Sequence, residues 1–252
     1  RKSGRNVLQP DASATRASAL TLVASGPLSE PWERMTWPDI SEISDGNRES
    51  VAGTAAAPPI SCNTFAMKQP LIIHDHLLPY AAKLELRDPA SIDLVVIHCT
   101  ELPDLATARE YGERIVHSSG TGNSGHYYID RDGSVHRYVP DARAAHHVRG
   151  MNGHSIGIEL VNAGRWPDWL DSRNQTMTEP YSDVQIEALL ALLAHLRDGL
   201  PNLRRIAGHE DLDVAAVPAS NDASRQVRRK LDPGPQFPWP RILATCGLQR
   251  LR

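Results

Sequence analysis

The most constraining stretch of the chain is an unbroken run of branched apolar residues, Leu94, Val95, Val96 and Ile97, closed by His98. A run without polar alternation reads as a strand covered on both faces, the kind found inside a helix-flanked sheet. Because strand side chains alternate, Leu94, Val96 and His98 share one face, and Val95, Ile97 and Cys99 share the other. His98 therefore stands at the rim of the sheet, facing whatever lies above it. A single strand-end histidine is ordinarily a hydrogen-bonded structural residue, so its meaning depends on partners elsewhere in the chain.

A chain of 252 residues with 40% hydrophobic content can bury a sizeable core. Its formal net charge of -3 gives no basic field, which disfavours nucleic acid as a partner. Cys62, Cys99 and Cys246 are widely spaced and odd in number, so neither a disulfide framework nor a cysteine zinc cluster is expected. No run approaches the roughly 18 apolar residues of a membrane span. Residues 1–66 are rich in Ala, Ser, Pro and Gly without sustained periodicity and read as a tail. Met67 directly precedes the first strand-like residues, Leu71, Ile72 and Ile73, so natural translation is expected to begin there. Arg1, Lys2 and Arg5 ahead of the apolar residues 19–24 have the look of an export signal, but that core is short and broken by Thr21.

His74 and His76 share a face if this first segment is a strand, and an H-x-H pair can hold a metal. No third ligand is near in sequence, which favours a solvated edge strand. Pro103 and Asp104 open a helix, with Asp104 as N-cap, an inward stripe of Leu105, Ala108, Ile115 and Val116, and an outer Glu110 to Arg114 pair. Residues 120–125 form a glycine-rich connection without the lysine of a phosphate cradle. Asp132 and Gly133, between residues 126–130 and 134–139, signal a hairpin. Residues 141–152, carrying His146 and His147, read as a surface loop. Residues 155–161 form a strand with Ile156, Ile158 and Leu160 on one face and Gly157, Glu159 and Val161 on the other. A carboxylate buried there without a partner is costly, so Glu159 must meet a polar cleft or a cation. The loop 162–180 carries Trp166 and Trp169, either as a platform for sugar or peptide or as rings packed on the core. Ser182 and Gln185 then form a capping box ahead of a helix that buries Ile186, Leu189, Leu190, Leu193 and Leu196.

Residues 204–209 read as a second short strand ending in a histidine, His209. A variable loop containing Pro218 follows, and then Lys230, Leu231, Asp232, Pro233, Gly234 and Pro235. His98, His209 and Asp232 make a two-nitrogen, one-oxygen set, the composition that leaves a catalytic zinc an open fourth position for water. Glu159 can take a proton from that water. Lys230, one residue removed from Asp232, can face the same cleft.

From about Asp93 to Trp239 the chain resembles the type-2 N-acetylmuramoyl-L-alanine amidase family, which includes phage lysozyme-type amidases and peptidoglycan-recognition proteins. The resemblance rests on motifs in family order: the strand closed by His98, His126 ahead of Arg131, Asp132 and Gly133, the Ala145, His146 and His147 loop, the strand carrying Glu159, the Gly208 and His209 pair, and residues 230–235. It implies one α/β domain over residues 67–252, a central mixed β-sheet flanked by helices, with the metal at one sheet edge. It also implies Zn2+ on His98, His209 and Asp232, with catalytic roles for Glu159 and Lys230. His147 matches a loop histidine of the family and stands as a substrate contact or as a surface residue without a role. Trp166 and Trp169 join it as substrate-binding candidates.

Within that family the chain resembles AmpD-like cytoplasmic members that recycle anhydro-muropeptides. The implied reaction is zinc-dependent hydrolysis of the amide between the lactyl group of N-acetylmuramic acid, in its 1,6-anhydro form, and L-Ala of the stem peptide. Its partner is a muropeptide or peptidoglycan substrate, and its compartment the bacterial cytoplasm. The alternatives are a non-catalytic peptidoglycan-binding protein, or a periplasmic or exported amidase acting on polymeric wall. A purely structural metal site would prefer four protein ligands. Gly125 stands where phage-type members carry a tyrosine, which leaves Glu159 as the base. The stretch between His209 and Asp232 is longer than in familiar members.

Overall fold

The structure, a computed structural model, describes residues 70–252. The tail expected over residues 1–66, the start expected at Met67 and Cys62 lie outside the described residues. In chain order the elements are β1 (Ile73–Asp75), β2 (Leu94–Cys99), α1 (Leu105–Glu113), β3 (Tyr127–Ile129), β4 (Val135–Arg137), β5 (Ser155–Leu160), α2 (Asp183–Gly199), β6 (Arg205–Gly208), α3 (His209–Leu212), β7 (Ala216–Pro218), β8 (Gln226–Arg228), α4 (Trp239–Cys246) and β9 (Gln249–Arg250). The main sheet runs β1-β4-β3-β5-β2-β6-β9. It is mixed because β3 and β4 pair antiparallel, while β2 lies parallel to β5 and β6.

All six residues of β2 are buried, and their alternation sorts the two faces of the sheet. Val95 and Ile97, with Ile156, Ile158 and Leu160 of β5, meet Leu189, Leu193 and Leu196 of α2 and Ile242 of α4 in one core. Leu94 and Val96 pack on the opposite face with Val148 and Ala207. Further along that face, Ala108 of α1 joins Tyr128 and Tyr138. Burying a Leu, Ile or Val side chain stabilises by about 1.5–3 kcal/mol, so an inner strand apolar on both sides holds helices against each face. The expected α/β domain with a helix-flanked mixed sheet is the fold observed.

Local chemistry explains the helix starts. Asp104 accepts from the Thr107 N–H at 2.7 Å, and Ser182 accepts from the Gln185 N–H at 3.2 Å. Only half of the expected capping box forms, because the Gln185 amide instead donates to the Ile129 and Val161 carbonyls, both at 3.0 Å. This ties α2 to the ends of β3 and β5. Three expectations need correction. The helix α1 stops at Glu113, so Ile115 is exposed rather than part of the inward stripe, although Arg114 does pair with Glu110 at 2.8 Å. His209 begins the short helix α3 rather than closing a strand. The variable loop after it folds as the antiparallel hairpin β7 and β8, whose three-residue strands are too short to show an alternation.

Register places one row of side chains on a single face of the sheet. His74 lies beside His136, His136 beside Tyr128, Tyr128 beside Glu159, and Glu159 beside His98.

Candidate active site

Ile97 of β2 is paired with Gly208 of β6, so His98 and His209 leave adjacent strand ends side by side. Gly208 lets the following turn approach: a Cβ there would stand 2.9 Å from Pro233 Cδ. The Glu210 N–H donates to the Asp232 carbonyl at 2.9 Å and fastens that approach. Asp232 Oδ2 consequently lies 2.9 Å from His98 Nδ1 and 3.1 Å from His209 Nδ1. Among the described residues these three form the only group of three or more His, Cys, Asp or Glu side chains with donor atoms all within 4.8 Å of one another. The centre sits at the C-terminal ends of the interior strands β2 and β6, not at an outer edge of the sheet as the sequence suggested. Strand ends in a helix-flanked sheet open a crevice there, which is why such sheets hold their ligands at that end.

Hydrogen bonding decides which nitrogen of His98 carries the proton. The Met151 carbonyl can only accept, so Ser155 Oγ donates to it at 2.8 Å. Ser155 Oγ then accepts from His147 Nε2 at 3.1 Å, and His147 Nδ1 is left to accept from His98 Nε2 at 3.0 Å. His98 Nδ1 is thus bare, and its lone pair faces the Asp232 carboxylate. The other Asp232 oxygen, Oδ1, is buried without a hydrogen-bond partner. Electron-rich atoms converging in a buried space require a shared proton or a cation between them. Two imidazoles and one carboxylate are the donor set of a catalytic zinc, so the residues present fit that ion.

His147 owes its seat to Gly157, where a Cβ would come within 2.6 Å of the imidazole ring. With both ring nitrogens engaged inside the protein, it orients His98. Loss of such an orienting partner typically weakens metal binding about 10–100-fold. His147→Ala is expected to show a loss of that size when zinc is partitioned against a chromophoric chelator, and an unchanged affinity would remove His147 from this role.

Glu159 stands next to His98 in the register, with Oε1 4.0 Å from His98 Nδ1 and a side chain 14% exposed. Burial pushes its carboxyl up to about 7, with the charge of Asp232 adding to the rise and Lys230 opposing it. Burial also acts to raise the Asp232 carboxyl, but the neighbouring His209 imidazole and the charge of Lys230 hold it well below the usual range. The charge of Lys230 thus acts on Glu159 and Asp232 together.

Residues 88–235 match the family described as N-acetylmuramoyl-L-alanine amidase. The chain belongs to that family. It is 36% identical over 125 residues to the 1,6-anhydro-N-acetylmuramyl-L-alanine amidase AmpD of Enterobacter cloacae, across 46% of this chain and 53% of that protein. It is 32% identical over 128 residues to the protein of the same name from Escherichia coli (strain K12), across 47% of this chain and 56% of that one. The chain spans about half the length of the curated relatives it matches. The endolysin N-acetylmuramoyl-L-alanine amidase LysCS from Clostridium intestinale URNW shares the fold, with a TM-score of 0.52 at 21% identity over 72% of this chain and 99% of that one.

Other residues of this amidase-family chain take places that the sequence left open. Trp166 and Trp169 are half-buried and meet edge to face with centroids 5.1 Å apart, packed on the core cluster of Tyr128 and Tyr138. The Trp169 Nε1–H donates to the Glu101 carbonyl at 3.0 Å. Sequence reasoning missed Arg165 and Glu101 altogether. Arg165 grips the Glu101 carboxylate at 2.6 and 2.8 Å, and both side chains are buried. The same guanidinium donates to the Arg228 carbonyl at 2.9 Å and the Arg229 carbonyl at 3.3 Å, immediately before Lys230. An isolated arginine in an aperiodic loop carries no local signal of such a role.

His126 is structural. Its Nδ1 accepts from the Gly157 N–H at 2.9 Å, and its Nε2 donates to the Arg143 carbonyl at 3.0 Å. Burial, with the nearby charge of Arg87, pushes its pKa down to about 3 from an ordinary 6.5. Between those values the unfolded chain binds a proton that the folded chain refuses, so stability is complete above pH 6.5 and falls as the pH drops toward 3. The contribution is about 1.4 kcal/mol per pH unit in that window. Denaturant melts at pH 7 and pH 5 should show a loss that shrinks in His126→Gln; equal losses in both proteins would place the acid sensitivity elsewhere.

Proposed function

We propose that residues 67–252 form a zinc-dependent N-acetylmuramoyl-L-alanine amidase that cuts the amide between the lactyl group of 1,6-anhydro-N-acetylmuramic acid and L-Ala of the stem peptide. The reading places it in peptidoglycan turnover and recycling, acting on soluble fragments in the cytoplasm. The observation that carries it is the meeting of His98 Nδ1, His209 Nδ1 and Asp232 Oδ2 beside Glu159. The names of the curated relatives supply the substrate class. Among the described residues no helix is long and apolar enough to cross a membrane.

His98, His209 and Asp232 would hold the ion, which supplies Lewis acidity, polarising a carbonyl and lowering the pKa of water toward about 7. Glu159 accepts the proton of the water that attacks the lactyl carbonyl. It returns that proton to the alanine nitrogen as the C–N bond breaks. The Lys230 ammonium faces the tetrahedral oxyanion, where a well-placed donor contributes roughly 3–4 kcal/mol. Arg165 holds the backbone just before Lys230, which keeps the ammonium aimed at the cleft.

The test offers purified chain both anhydro-muropeptide and intact sacculi, with and without chelator, and follows peptide release by mass spectrometry. Chelator-sensitive release of a peptide beginning with L-Ala from the anhydro-muropeptide is expected. No release from either substrate would overturn the reading in favour of a peptidoglycan-binding protein. Cleavage of sacculi alone would reassign the enzyme to the polymeric wall, outside the cytoplasm.

A further inference from the structure

The H-x-H pair of the first strand finds its third imidazole in space. We propose that His74, His76 and His136 form a second site for a borderline divalent metal ion, with zinc as the occupant, on the outer strands β1 and β4. His74 lies beside His136 in the register, and the backbone pairing continues through the His76 N–H to the Arg137 carbonyl at 3.0 Å. His74 and His76, two residues apart, therefore turn the same way as His136.

Two of the three ring separations suit one shared ion. His76 Nδ1 and His136 Nδ1 are 3.0 Å apart. Two nitrogens bound at about 2.0–2.1 Å to a tetrahedral zinc stand roughly 3.4 Å apart, and their ring centroids about 5 Å apart. The observed centroids are separated by 5.1 Å for His76 and His136, 5.3 Å for His74 and His136, and 6.2 Å for His74 and His76. The three rings do not yet offer nitrogens all within 4.8 Å of one another, and His74 closes the set by rotating an exposed side chain. His136 Nε2 is engaged by Ser134 Oγ at 3.1 Å, which leaves Nδ1 for the ion, as a ligating histidine commonly uses its second nitrogen. Asp75 points to the opposite face, where Arg137 holds it at 2.6 and 2.8 Å, so imidazole and water make up the ligand set. Imidazole donors favour zinc, copper and nickel over calcium and magnesium. His136 lies two strands from Glu159, a distance of roughly 10 Å, and His74 three strands away, so the site pins the three-residue edge strand β1 to β4.

The full chain, stripped of metal by chelator and dialysed, is titrated with zinc chloride alone by calorimetry. Two binding events are expected. The weaker should vanish in a His76→Ala, His136→Ala double variant that keeps the tighter event and its hydrolytic activity. It should persist in a His98→Ala, His209→Ala double variant, and His74→Ala should weaken it at least about tenfold. Substoichiometric nickel added to wild-type protein whose tighter centre is already filled with zinc should broaden the imidazole resonances of His74, His76 and His136, a readout that needs no variant to fold. A single event in wild type, or a second event that survives the His76 and His136 substitutions, overturns the proposal. Broadening centred instead on the His117 and His146 pair, whose centroids are 4.5 Å apart, does the same.

Discussion

Glu159→Gln is expected to lower kcat about a hundred- to ten-thousand-fold while leaving zinc content at the wild-type level. The amide has the size of the carboxylate and occupies the same place beside His98, but it cannot accept a proton from water. Glu159 is also not one of the three convergent donors: its Oε1 stands 4.0 Å from His98 Nδ1, against 2.9 and 3.1 Å within the triad. The loss should fall on kcat with KM little changed, because the group acts on the reacting atoms rather than on the bound peptide. Steady-state rates on anhydro-muropeptide, set beside metal analysis of the same preparation, make the check. Full activity would strip Glu159 of its role as base, and parallel loss of zinc would place it among the ligands instead.

The second large effect concerns stability. Arg165→Leu should destabilise the fold by about 3–5 kcal/mol, because it leaves the buried Glu101 carboxylate facing no cation and two carbonyls without donors. Against a typical total of about 5–15 kcal/mol that is a large share. It corresponds to a fall in Tm of roughly 10 °C for a domain of this size. Replacing both partners, Arg165→Leu with Glu101→Leu, should recover much of the loss, since no unpaired charge then remains. The backbone before Lys230 is still released in that double variant, so stability should return further than activity does. Calorimetric melts and kcat on wild type, the single variant and the double variant test this. A single variant melting within about 2 °C of wild type would show that the ion pair contributes little.

Much of this was legible in the residues. The faces of β2 and β5 followed from their alternation, the hairpin from Asp132 and Gly133, and the helix starts from Asp104 and Ser182, because these depend on neighbours within a few positions. The donor set His98, His209 and Asp232 was also visible as residue types at strand ends and in a proline-flanked turn. Where the sequence misled, the cause was a contact it could not register. The placement of the centre between interior strands follows from the long-range pairing of β2 with β5 and β6.

The sequence by itself determined which side chains are available and which way each faces along its own strand, since alternation and turn chemistry are local. The tertiary structure alone decided who meets whom. It set His98 against Asp232 across 134 positions, ran the chain from Met151 through Ser155 and His147 that leaves His98 Nδ1 bare, fastened Arg165 to the carbonyls of Arg228 and Arg229 just before Lys230, and brought His136 to the lone H-x-H pair. The physical reason is that strand register and loop closure are fixed by burial summed over the whole sheet. No short stretch of chain encodes its partner's position.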